Sequence, residues 1–263
     1  MSDAEVAVTA AQAGAAVVRS RYGQPVKRYA KTGGDFATAA DIEAESAILD
    51  TLRTARPDDP ALGEETGRTG DTEADRLWLV DPLCGTLNFA AQTPLVAVNV
   101  ALRTGDGITV AAVADPFTEE VFWTDGKGAH VRHAGTDQPL TPTPDARLVD
   151  VNIDPPFHNG PGFRAVRLLN DVAFTQRFGG RVTSTTLALA WVAAGRRAAY
   201  VTDGTMRDNV HFASAIAVCQ AAGCVVTDLR GRPLDAGAGG LLVSADQPTH
   251  DILLTIVGKQ FRS

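Results

Sequence analysis

The chain holds 263 residues, 44% of them hydrophobic and 21% charged, a balance that fits a folded globular protein and excludes a disordered one. Net charge is −7 at pH 7, and Lys and Arg are scattered, so there is no basic stripe for nucleic acid or an anionic membrane. No apolar run approaches the ~20 residues of a membrane span, MSDAEVAVTA lacks the basic start and apolar core of a signal peptide, and three cysteines without paired close spacing argue against a disulfide framework or a zinc knuckle.

A cytoplasmic protein is expected. Its organisation reads as a single unit over 1–263, with an N-terminal half to about 140 and a C-terminal half from about 141.

Residues 4–21 are Ala-rich with apolar positions at helical spacing, and 38–55 repeat that pattern behind Thr38, whose hydroxyl can cap the helix start. From Leu77 the texture changes. LWLVD, VAVNVALRT, GITVAAVAD and EEVFWTD are short, β-branched or aromatic, and are separated by Gly, Asp and Pro, which predicts consecutive strands. Residues 134–147 are rich in Pro, Thr and Gly and predict a surface connection between the halves. Beyond them RLVDVNI and AAYVTD read as strands. GFRAVRLLNDVAFTQR, STTLALAWVAAG and NVHFASAIAVCQAAG read as helices, the last capped by Gly223. The whole is layered α/β.

Four stretches carry a resemblance: KTGGDFATAAD (31–41), LGEETG (62–67), WLVDPLCGTLNF (78–89) and VHFASAIAVCQAAGCVVTDLRGRPL (210–234). With STTLALAWVAAGRRAAYV (184–201), they resemble the inositol monophosphatase superfamily, metal-dependent phosphatases of small phosphorylated alcohols. The resemblance implies an αβαβα sandwich and phosphoryl transfer to water at cations held by acidic side chains. The ligand positions it implies are Glu64, Asp81, the carbonyl of Leu83, Cys84 and His211, so two acidic ligands are replaced. His211 is placed by counting back from VVTD (225–228); Asp208 would need a three-residue shift. Asp35, Thr38 and Asp41 fall in the family's outer shell, and they equally suit a capped helix start.

Magnesium prefers oxygen donors, so a thiol and an imidazole at two ligand positions disfavour a family-type Mg²⁺ site, while Glu64, Asp81, Cys84 and His211 could hold a softer ion such as Zn²⁺. The other reading is a Cys84–His211 dyad, because side chains at positions that share one cation are neighbours. Imidazole would take the thiol proton against the opposing charges of Asp81 and Glu64. In the family, the Gly-Thr after the second Asp opens a helix whose N-terminus helps bind phosphate. Carried over, the N–H groups of Gly85 and Thr86 would form an oxyanion hole around Cys84. Asp115, in an Asp-Pro loop, is the candidate to orient His211, with Asp41 and Asp81 as competitors.

The order Cys84, Asp115, His211 is similar to the Cys-Asp-His triad of the Dieckmann cyclases that close tetramate and pyridone rings at the end of hybrid polyketide–peptide assembly. That resemblance implies a Cys84 acyl-enzyme formed from a carrier-bound β-ketoacyl-aminoacyl thioester, with His211 as base and ring closure as release. It implies no metal or other cofactor. The partner would be an acyl or peptidyl carrier protein, without nucleic acid or membrane and with room for a homodimer. Two alternatives stand beside it: a metal-dependent phosphatase using Mg²⁺ or Zn²⁺, and a catalytically inactive phosphatase-like binding protein in which Cys84 is an inert buried thiol. Cys219 and Cys224 read as core thiols, and His130, His133, His158 and His250 as surface residues.

Overall fold

The computed structural model describes residues 1–25, 27–31, 36–71, 74–153, 163–204, 206, 209–234 and 239–261. Asp35, His158 and Asp208 lie outside them. The chain divides into two compact units. The first comprises Met1–Pro139, Thr185–Leu187 and Val210–Val218; the second comprises Leu140–Ser184, Ala188–Asn209 and Cys219–Ser263.

The first unit opens with helix α1 (Asp3–Arg21), where Ser2 accepts the N–H of Glu5. The strands β1 (Arg28–Ala30) and β2 (Phe36–Thr38) pair antiparallel and lead into helix α2 (Ala39–Ala55). Thr38 caps α2 through a capping box, in which the Asp41 carboxylate takes the Thr38 N–H at 2.7 Å. Then follow β3 (Ala61–Gly63), β4 (Gly67–Thr69), β5 (Arg76–Cys84), the short helix α3 (Thr86–Ala90), β6 (Ala97–Thr104), β7 (Gly107–Ala114), β8 (Val121–Thr124), β9 (Ala129–His133) and β10 (Thr136–Pro139). These strands form an eight-stranded mixed sheet in the order β10-β9-β8-β7-β6-β5-β3-β4. Apolar faces of α1 and α2, including Val6, Ala10, Ala44 and Ile48, share one core with Trp78, Val80, Val98 and Val100 of the sheet.

Along β5 and β6 the antiparallel register pairs Asp81 with Asn99, then shifts before Cys84 pairs with Ala97. Pro82, which has no N–H to give a ladder, lies within the shift. A polar pair is thereby placed side by side in an otherwise apolar stretch of sheet.

The second unit carries β11 (Leu148–Val151), α4 (Ala165–Leu169), α5 (Val172–Thr175), β12 (Gly179–Val182), most of α6 (Leu187–Ala193), β13 (Ala199–Thr202), the end of α7 (Val210–Ala222), β14 (Val225–Thr227), β15 (Leu241–Ser244) and α8 (Gln247–Gly258). Its five-stranded sheet runs β12-β11-β13-β15-β14, parallel at β11's two edges and antiparallel elsewhere. The helix expected across 162–177 is two helices. Asp171 accepts the N–H groups of Ala173 and Phe174 and so starts α5 afresh. His250 is also not a surface residue: it is buried, with Thr227 and Ser244 hydroxyls on its two ring nitrogens. Cys219 and Cys224 are buried free thiols. Among the described residues no helix is long and apolar enough to cross a membrane.

Candidate active site

Every described side chain of the site belongs to the first unit. Asp81 lies within the buried run of β5, Leu77 to Leu83, and is fully enclosed. Its Oδ1 accepts the N–H of Leu83 at 3.1 Å, and its Oδ2 faces Asn99 Nδ2 at 3.3 Å and His211 Nδ1 at 2.9 Å. Glu64 stands on the loop after β3, with its carboxylate 3.7 Å from the same ring nitrogen. That loop is held from beneath by the buried Glu45, which accepts the N–H groups of Glu65 and Thr66 at 2.9 and 2.8 Å. Residue 63 has to be glycine for this, since a Cβ there would lie 2.6 Å from the Glu45 carboxylate.

Lys31 bridges Glu64 at 2.8 Å and Glu65 at 2.5 Å. On the other side, Thr86 Oγ1 reaches Asp41 Oδ1 at 2.9 Å and the Leu83 carbonyl at 3.2 Å, while Asp41 Oδ2 accepts both the N–H and the hydroxyl of Thr38. Gly85 turns the chain from β5 into α3 with φ 105°, a left-handed conformation that glycine adopts without strain.

The Cys84 sulfur lies against the hydroxyl and backbone N–H of Thr186. Asp115 is buried, and its Oδ1 accepts the N–H groups of Phe117 and Thr118 in its own loop, so the carboxylate beside His211 Nδ1 is Asp81. Asn99, Thr186, Lys31 and Glu45 all enter the site without having been singled out from sequence. The available signal was a polar residue inside an apolar strand, VAVNVALRT, and a buried acid inside a helix.

Burial penalises the charge on Glu64, and with the nearby Asp81 it pushes that carboxyl up to about 8. Burial also opposes a charged His211, but Asp81 and Glu64 outweigh it and raise the imidazole to about 9. Burial and Asp81 hold the Cys84 thiol well above its ordinary value. Near neutral pH, then, His211 is an imidazolium between two acids and Cys84 is a thiol, the reverse of an activated nucleophile–base pair.

Ligand atoms of Glu64, Asp81 and His211 all lie within 4.8 Å of one another, the spacing of a metal-holding group. Two carboxylates and a ring nitrogen suit a borderline cation such as Zn²⁺ better than Mg²⁺, which prefers oxygen throughout.

A family model described as the inositol monophosphatase family matches residues 2–260. An inositol-1-monophosphatase of Caulobacter vibrioides is 34% identical over 85% of this chain and 88% of its own length. A protein of Escherichia coli named Nus factor SuhB is 32% identical over 86% and 85%. The crystal structure of the extragenic suppressor protein suhB of Bartonella henselae superposes with a TM-score of 0.83 at 25% identity, covering 97% of this chain and 98% of that one.

These relatives overturn the cyclase expectation. With the Cys84–His211 acyl transfer go the tetramate or pyridone product and the carrier-protein partner, none of which any of these relatives bears in its name. The expectation of no cofactor is corrected as well, by the family's metal dependence together with the clustered donors of Glu64, Asp81 and His211. The fold is the layered α/β fold of these proteins, and the chain belongs to the inositol monophosphatase family.

Proposed function

We propose that this protein hydrolyses the phosphate monoester of a small alcohol, of the inositol 1-phosphate class named for its Caulobacter relative, with a divalent cation other than Mg²⁺ as its preferred metal. The observation that carries this reading is the convergence of Glu64, Asp81 and His211 within 4.8 Å. A cation held by these three would supply Lewis-acid polarisation of a phosphoryl oxygen.

The chain's own residues supply the rest. Asp81 is fixed by three contacts, so its geometry is set before any ligand arrives. Lys31 neutralises part of the charge of Glu64 and Glu65, which lowers the cost of bringing a phosphate dianion beside them. Thr86 and Asp41 tie the start of α3 to the start of α2, and this holds Leu83 and its carbonyl in place. Three free cysteines suit a reducing compartment, and we place the protein in the cytoplasm on that ground.

The test is phosphate release from inositol 1-phosphate and related esters by chelator-treated protein resupplied with Zn²⁺, Mn²⁺ or Mg²⁺ in turn. Release is expected with Zn²⁺ or Mn²⁺ ahead of Mg²⁺; no release from any small ester with any of them rejects the reading. A second reading, an inactive phosphatase-like binding protein, is favoured by the internal pairing of Lys31 with Glu64 and of His211 with Asp81. It predicts that these esters bind without being turned over.

A further inference from the structure

Behind Asp81 runs a set of buried polar contacts that none of the motifs accounts for. Asn99 and Thr186 are both fully buried. Thr186 Oγ1 donates to Asn99 Oδ1 at 3.0 Å, and Asn99 Nδ2 donates to Asp81 Oδ2 at 3.3 Å. A hydroxyl has one proton, and this one is committed to Asn99.

The directions agree along the chain, from Thr186 through Asn99 to the Asp81 carboxylate that His211 meets from the other side. The amide orientation follows too: with Oδ1 accepting from Thr186, Asn99 can only present its NH₂ group to Asp81. A polar chain this deep is costly unless every member is satisfied, and here each link has its partner.

We propose that Asn99 and Thr186 are positioning residues, a buried relay that fixes the Asp81 carboxylate for cation binding. The inference rests on the reading of Glu64, Asp81 and His211 as a metal-holding group, but it concerns how Asp81 is held and so survives or fails apart from the reaction.

The experiment compares wild type, Thr186→Val, Thr186→Ser and Asn99→Leu in two measurements besides the unfolding midpoint. The first is the dissociation constant for Zn²⁺ against a chromophoric chelator. The second is the ¹⁵N shift of His211 Nδ1 in metal-free protein, which reports its hydrogen bond to Asp81. Thr186→Val and Asn99→Leu are expected to weaken Zn²⁺ binding about 10- to 100-fold, the scale of outer-shell changes at metal sites, and to move the His211 shift. Thr186→Ser is expected to restore both. Unchanged affinity and an unchanged His211 shift in Thr186→Val overturn the proposal. If wild type binds no Zn²⁺, the His211 shift decides alone: moved in Val and restored in Ser sustains the relay, unmoved rejects it. A wild type that binds Zn²⁺ but releases no phosphate rejects the phosphatase reading and leaves the relay standing. If Asn99→Leu does not fold, the Val and Ser pair, which differ least from wild type in shape, carries the decision.

Discussion

Each unit buries a carboxylate against a cation, and the two arrangements differ in what they leave over. In the second unit Asp150 is fully buried between Arg197 Nε, at 2.5 Å, and the hydroxyl of Thr183. Arg197 also lies over the Trp191 ring, 4.6 Å from its centroid. One guanidinium meets one carboxylate, a plain ion pair. In the first unit Asp81 is equally buried, but its partner is a titratable imidazole, and a second acid, Glu64, crowds the same ring nitrogen. Such a site gathers three groups able to hold a cation within 4.8 Å of one another. The contrast separates an ion pair that stabilises a fold from one that waits for a ligand.

The largest expected effect breaks the structural side of this contrast. Asp150→Ala strands Arg197 and should destabilise the protein by about 3–5 kcal/mol, read as a lowered urea midpoint with the slope unchanged. Asp81→Asn should move that midpoint far less, because it also relieves the crowding of Glu64. Equal losses from the two substitutions would erase the distinction. Next comes the loop carrying Glu64. Gly63→Ala forces a methyl group against the Glu45 carboxylate and should cost about 1–3 kcal/mol, together with weaker cation binding, measured by denaturation and chelator competition on the same preparation.

The smallest effect lies in pH and belongs to His250 in the second unit. Burial holds this imidazole below its ordinary value of 6.5. Between the folded and unfolded values the unfolded chain binds more protons, so this contribution to stability is present above about 6.5 and is lost as pH falls toward the folded value. His250→Gln should flatten the acid side of the stability curve while leaving the alkaline side in place. An unchanged acid limb would show that the buried ring does not titrate there.

Much of the architecture was legible because it is written in local periodicity. The helix over 38–55 follows from apolar spacing plus one capping threonine, and the capping box at Thr38 and Asp41 is the physical form of that signal. The apolar strands from Leu77 to Thr124 are similarly plain. Strand β10 falls in the segment 134–147 that reads as a connection, because it is exposed at every position and carries no alternation. His250 was misread because its neighbours are polar. Its place on α8 beside Thr249, Leu253, Ile256 and Val257 puts it on the buried stripe. At the site, motif spacing located Glu64, Asp81, Cys84 and His211, whereas the bonds that decide their chemistry come from distant segments. Thr186 and Asn99 are 87 positions apart, and no window of sequence connects them. The thiol in DPLCGT suggested a nucleophile because residue type was legible and surroundings were not.

The central claim is that Asp81 anchors a cation-dependent phosphatase site, and its most direct test is phosphate release from inositol 1-phosphate by wild type and Asp81→Asn, each metal-stripped and then resupplied with Zn²⁺ or Mn²⁺. The account predicts that release returns with the cation in wild type and is at least about 100-fold slower in Asp81→Asn, no less than the largest loss seen when outer-shell groups are removed. Release that persists after stripping, or that Asp81→Asn sustains at the wild-type rate, would contradict it.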